Sequence, residues 1–204
     1  LVRPSDMVER SIPAPDAALS TSLPERQELR TTPFATDADH GTAFHLLMER
    51  AAFLDDRLEP LCQAVLEELH LDLPAERRAD RVAAMLHLAE RALGCGIAHE
   101  LRAAADRGQL YHELPLDFLL DDTRRVYGVI DLVWQDAAGA YHVLDYKTGF
   151  RYPTLSNPDT ELLRHHYAQT HLYAQGLQRC GYDVATFGVW YVAAPALIRW
   201  RANA

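Results

Sequence analysis

Two carboxylates that oppose each other on neighbouring apolar strands constrain this chain more than any other feature. Residues 124–135 (RRVYGVIDLVWQ) and 141–149 (YHVLDYKTG) are rich in β-branched and aromatic side chains, the composition of strands. The DAAGA between them reads as a hairpin loop centred on residue 138, which sets Asp131 opposite Asp145. Directly opposed residues share one face of a sheet, so the carboxylates stand side by side. Lys147, two residues beyond Asp145, shares that face. The flanking Val129, Ile130, Leu132, Val133, Val143 and Leu144 are apolar on both faces, as in central, buried strands. Opposed like charges are costly there unless something neutralises them. A divalent cation does so, and carboxylate oxygens suit Mg²⁺ or Mn²⁺. A structural Asp–Lys–Asp network is the other reading of the same residues. A one-residue register slip would place the two carboxylates on opposite faces.

Lys147 stands out a second way. Of 20 basic residues, 19 are Arg and this is the single lysine. A compact ammonium with a tunable pKa does different work from a planar guanidinium that stays charged.

The rest of the 204 residues divides into three parts. Residues 1–40 are rich in Pro, Ser and Thr and read as an extended arm or linker. Residues 41–107 read as helices: one at about 41–57 with Thr42 or Asp39 near its cap, then stripes at Leu61, Val65, Leu69 and at Val82, Met85, Ala89, broken at Gly94 and Gly96. Residues 49–80 carry 9 acidic and 4 basic side chains, which reads as a solvated helical face. Residues 108–204 hold the sheet: a strand at 111–120, the hairpin, a helix at about 161–179, and closing strands at 183–193 and 196–202. The order is that of an α/β or α+β layer fold.

Several classes drop out. No apolar run reaches membrane length, and the first residues, LVRPSDMVERSIPAP, lack a secretory signal. The chain begins at Leu rather than Met, which reads as a piece of a longer protein. Cys62, Cys95 and Cys180 form no C-x-x-C pair, so a zinc ribbon is not expected; the sparse count fits a reducing, cytoplasmic setting. A net charge of -9 argues against a DNA binder held by charge alone. No phosphate-binding G-x-x-x-x-G-K-[ST] loop occurs.

Five pieces in order resemble a known family. They are Gly41-Thr42-Ala43-Phe44-His45, Glu113-Leu114-Pro115, Gly128-Val129-Ile130-Asp131, Leu144-Asp145-Tyr146-Lys147-Thr148-Gly149 and Gln169-x-x-x-Tyr173. The set is similar to the RecB-type nuclease signature of the PD-(D/E)xK superfamily, as in the C-terminal nuclease domains of AddAB- and RecBCD-type helicase–nucleases. The resemblance implies a restriction-endonuclease-like α/β core, a central mixed sheet flanked by helices, with an N-terminal helical layer that delivers His45. It implies metal ligation by His45, Asp131, Asp145 and the Tyr146 backbone carbonyl, with Asp131, Asp145 and Lys147 as the catalytic set. It further implies that Gln169 and Tyr173, and with them Tyr167, line the nucleic-acid path, with Glu113 as an accessory carboxylate. Gln169 and Tyr173 share a helical face by their spacing. His165, His166 and His171 fit no standard zinc spacing and read as helix-face residues that approach phosphate. Some relatives hold an iron–sulfur cluster on four cysteines; three scattered ones predict none here.

The expectation is a Mg²⁺-dependent DNA exonuclease domain of 41–204, with Mn²⁺ as substitute, fed by a helicase domain or subunit in DNA end processing and recombinational repair. A nuclease-like module that guides DNA or scaffolds a helicase without cutting is the alternative. A metallohydrolase acting on a small phosphate ester is a weaker rival.

Overall fold

The computed structural model describes residues 18–21, 37–51, 57–69, 75–149, 151–154, 159–194 and 196–202. Four helices precede the main sheet: α1 (Asp37–Ala51), α2 (Leu58–Glu68), α3 (Ala75–Leu93) and α4 (Gly96–Asp106). Then come β2 (Leu110–Leu119), β3 (Arg125–Gln135), β4 (Tyr141–Lys147), α5 (Thr160–Arg179), β5 (Val184–Tyr191) and β6 (Ala196–Arg201). A short strand, β1 (Ala18–Thr21), comes before them all.

The six strands form one mixed sheet in the order β1-β6-β5-β4-β3-β2. Only β4 and β5 run parallel, and α5 is the crossover that parallel strands require. Pro115 sits in β2, an edge of the sheet, where a missing N–H is tolerated. The β3–β4 hairpin pairs Leu132 with Leu144 and Val133 with Val143. That is the register expected from a loop centred on residue 138.

One face of the sheet is buried under α5. Ile130, Val133 and Val143 pack there with Leu172, Tyr173 and Leu177. The other face carries Leu132, Trp134, Leu144 and Tyr146 against Phe44 and Met48 of α1 and Ile97 and Leu101 of α4. A third cluster joins α1, α2 and α3 through Leu47, Cys62, Val65, Met85 and Ala89. The N-terminal helices thus form a layer laid across the face opposite α5.

Two expectations need correction. The first helix starts at Asp37, so Thr42 and Asp39 lie inside it and not at its N-cap position. The second concerns the expected arm at 1–40. Its residues 18, 20 and 21 pair antiparallel with Trp200, Arg199 and Ile198 of β6, so part of that segment belongs to the sheet; most of the remainder lies outside the described residues.

Candidate active site

The site forms along one row of the sheet. Around it, β2 and β3 pair His112 with Leu132 and Leu114 with Ile130, which places Glu113 level with Asp131. The β3–β4 register in turn carries Asp131 level with Asp145. Three carboxylates from three adjacent strands therefore share one row.

The row is also where the faces change over. Leu132 and Trp134 point to the α1 and α4 side, whereas Val126 and Ile130 point to α5. In β2 the same change separates Leu110, which packs on the α1 and α4 side, from Leu114, Leu116 and Phe118 beneath α5. Glu113 lies at the turnover with φ of 47°, a left-handed conformation that a side chain with a Cβ adopts at a cost. Both strands change phase together, so their pairing register survives while Glu113 and Asp131 turn toward α1.

His45 meets them there. Its Nδ1 lies 3.4 Å from Glu113 Oε1 and 3.6 Å from Asp131 Oδ1. The ligand atoms of His45, Glu113 and Asp131 all lie within 4.8 Å of one another. Gly41, one turn before His45, explains how α1 comes so close: a Cβ there would stand 3.2 Å from the Thr148 hydroxyl. The His45 ring packs edge-on to Tyr146, with centroids 5.6 Å apart. An open cleft of about 530 Å³ lies over the cluster, lined by Gly41, Thr42, His45, Leu46, Glu49 and Glu113.

Asp145 faces the other way. Its Oδ2 is ion-paired with Lys147 Nζ at 2.5 Å. Its Oδ1 accepts from the Gln169 amide at 2.9 Å. Gln169 also donates to the Tyr173 hydroxyl at 3.1 Å, and its Oε1 accepts from Lys147 at 3.2 Å. A further link ties the two halves: the Tyr146 backbone N–H donates to Asp131 Oδ2 at 2.7 Å.

The electrostatics follow the geometry. Burial, then the Asp145 charge, raise the Asp131 carboxyl above the usual range; His45, Lys147 and the Tyr146 N–H pull it down without cancelling that. For His45, burial lowers the pKa, but Glu113, Asp131 and Asp145 outweigh it and the imidazole stands above its ordinary value. Burial likewise lowers the Lys147 ammonium, and Asp145 and then Asp131 outweigh it, so the lysine too is raised.

Most of the expected residues are brought together. His45, Glu113, Asp131, Asp145, Tyr146, Lys147 and Gln169 form one connected group. Glu113, expected only as an accessory, is central to it. Tyr146 joins the group through its backbone N–H and its ring. Tyr173 is 4% exposed and stands behind the row, not on an open path. Tyr167 is not part of the group. Two positions along a helix are roughly 200° apart around its axis, and Tyr167 turns away from Gln169 to pack on Phe187 and Trp200. His166 and His171 are also turned inward. His171 stacks on Tyr167 and lies at a tilt to Phe187, and the buried His166 is hydrogen-bonded to Tyr191.

The donor set fits a hard divalent cation. One imidazole nitrogen and two carboxylate oxygens converge on one point, and their unbalanced negative charge is what such an ion neutralises. The sequence matches the PD-(D/E)XK nuclease superfamily over residues 21–198. No curated protein matches the chain.

Proposed function

The chain belongs to the PD-(D/E)XK nuclease superfamily, and from that premise we propose that it is a Mg²⁺-dependent DNA exonuclease domain of the RecB type, with Mn²⁺ as substitute. The observation that carries the reading is the convergence of His45, Glu113 and Asp131 beside the Asp145–Lys147 pair. His45, Glu113 and Asp131 would hold the cation, with the Tyr146 backbone carbonyl as a further ligand, while Asp145, expected as a ligand, is turned to the α5 side and orients Lys147 instead. When bound, the cation polarises the scissile phosphate and lowers the pKa of a coordinated water.

The chain's own residues do the rest. Lys147 presents a positive charge to the phosphate oxygens, where negative charge develops in the transition state. Asp145 keeps that ammonium in place, and Gln169 holds both partners in one orientation. Glu113 and Asp131 present their carboxyl groups to the cleft floor on either side of His45. No covalent enzyme intermediate is required.

The wider role rests on the resemblance to RecB-type nucleases, and the charge is consistent with it. Residues 148–204 carry 5 Arg against 3 acidic residues, within a chain at net -9. Such a domain holds DNA weakly, and its affinity falls as salt rises. A helicase domain or subunit that feeds DNA into the cleft supplies what charge does not, through effective concentration. By that resemblance the reading is DNA end processing in recombinational repair, in the cytoplasm, with the helices from Asp37 onward and the six-stranded sheet as the catalytic unit.

The test is a cleavage assay on end-labelled single- and double-stranded DNA with Mg²⁺, Mn²⁺ or EDTA. Cleavage with either ion that stops in EDTA, releasing products from an end, is the expected result. Undiminished cleavage after metal stripping would remove the metal from the mechanism. Absence of cleavage with every divalent ion, alone or linked to a helicase, would leave a module that guides DNA.

A further inference from the structure

Helix α5 turns a polar seam toward the sheet, and half of it is unused by the chemistry above. His166, Gln169, Thr170 and Tyr173 follow the i, i+3, i+4, i+7 spacing of one stripe, where apolar residues usually sit. Gln169 and Tyr173 serve Lys147 and Asp145. His166 and Thr170 are 7% and 0% exposed.

His166 Nδ1 shares a 2.7 Å hydrogen bond with the Tyr191 hydroxyl. The Thr170 hydroxyl donates to the His166 carbonyl oxygen at 2.9 Å. Tyr191, wholly buried, is the partner of Lys147 on the adjacent parallel strand. Lys147 reaches Gln169 and Tyr191 reaches His166, both on α5, so the two side chains stand on the same face. Paired residues on one face are in contact range.

A phenol and an imidazole are a costly way to build a buried wall. Phe and Leu would fill the space with no polar atoms to satisfy. Here each satisfies the other. The imidazole is also neutral: burial first, then the charges of Lys147, His165 and Arg151, hold it down at about 3. His166 therefore adds no positive charge of its own beside Lys147.

We propose that His166 and Tyr191 are positioning residues for Lys147: their hydrogen bond fixes the ring beside the lysine stem, and so fixes where the ammonium is presented. The inference rests on the reading of Lys147 as the catalytic lysine. Asp145 and Gln169 hold the tip of the side chain, while the pair holds its flexible stem. A catalytic group displaced by about 1 Å can lose roughly 10²-fold in rate, so the stem matters as well as the tip.

The single lysine of the chain makes the test direct. Protein grown on lysine labelled with ¹³C at Cε gives one lysine resonance. It is recorded for the wild type and for Tyr191→Phe, His166→Leu and His166→Asn, alongside single-turnover cleavage at saturating DNA. Tyr191→Phe keeps the ring and removes the hydroxyl. His166→Asn keeps a hydrogen-bonding atom near the Nδ1 position, which His166→Leu does not. Tyr191→Phe and His166→Leu are expected to move the resonance toward that of free lysine and to slow cleavage about tenfold at unchanged KM; His166→Asn restores both. A merely structural pair would lower Tm while leaving the resonance and the rate in place, and that result overturns the proposal. Should His166→Leu fail to fold, Tyr191→Phe decides alone. Should the wild type not cleave DNA, the nuclease reading falls, and an unmoved resonance in Tyr191→Phe still overturns the positioning role.

Discussion

On the α5 side of the site, Asp145 has an ammonium on one oxygen and an amide on the other. On the α1 side, Glu113 and Asp131 face each other across adjacent strands with a single imidazole between them, on backbone that carries a left-handed residue at Glu113. The first half is internally neutralised and hydrogen-bonded. The second sets two carboxyl groups against one imidazole under an open cleft. Folding stability favours the first arrangement, and only an incoming cation favours the second. The difference separates residues that hold the machinery from residues that wait for a ligand.

The largest expected effect sets the two aspartates against each other. Asp131→Asn and Asp145→Asn should each abolish cleavage. Simple relief of like-charge repulsion would make both more stable without metal. The geometry sets them apart: Asp131→Asn should gain about 1 kcal/mol in EDTA, because it removes an under-compensated buried charge. Asp145→Asn should lose about 3 kcal/mol, because it leaves the Lys147 ammonium without its partner. Urea unfolding of the two variants in EDTA checks this. Equal shifts of one sign would erase the distinction between the halves.

Next comes Lys147. Lys147→Ala should lower the single-turnover rate by about 10²–10³ while metal binding, followed by calorimetry, stays near wild type. Lys147→Arg should recover little, since a planar fork does not fit a place shaped for an ammonium between Asp145 and Gln169. Full recovery would reduce the lysine to a generic cation.

A smaller effect concerns pH. In the metal-free protein Asp131 and His45 both have raised pKa values. Each contributes stability that is complete below its unfolded pKa and is lost as pH rises through its folded one. Tm in EDTA should therefore fall as pH rises from the ordinary carboxylate range past that of histidine. Asp131→Asn should flatten the lower part of this slope. Saturating Mg²⁺ should flatten it too, because the bound ion takes the deprotonated forms. A slope unchanged in Asp131→Asn would place the titrating group elsewhere.

The smallest concerns Gly41. Gly41→Ala gains roughly 1 kcal/mol of helix propensity and meets the Thr148 hydroxyl at 3.2 Å. Net stability should hardly change, yet α1 must give way and carry His45 with it. A several-fold weaker metal affinity at unchanged Tm, read by calorimetry, is the expected signature.

How much of this was legible in the sequence depends on which forces set it. The register that levels Asp131 with Asp145 follows from the hairpin loop, because a short loop between apolar strands leaves little choice. The shared face does not follow. Alternation breaks at the row of Glu113 and Asp131, and it breaks at a glutamate, not at the glycine that would have announced it. The two aspartates consequently serve opposite sides of the sheet without any slip in pairing. Histidines misled for a related reason. In a helix at the surface of a sheet, His166 carries no mark that its partner is Tyr191, a residue 25 positions away. Tyr167 was misplaced because a helical face is set by spacing, and its spacing from Gln169 points away from the site. The strand at 18–21 was hidden in a stretch rich in proline and serine, since four residues that only extend an edge need little pattern of their own.

That edge strand has a practical consequence. β1 supplies backbone partners to β6, which otherwise closes the sheet with a row of open amides and carbonyls. An uncovered β6 is a template for a second chain. Trimming the protein to begin at Asp37, as its helical start invites, would keep every residue of the site and still yield a sticky molecule. Its failure would show first as concentration-dependent association and clouding on storage, with catalysis per folded molecule intact.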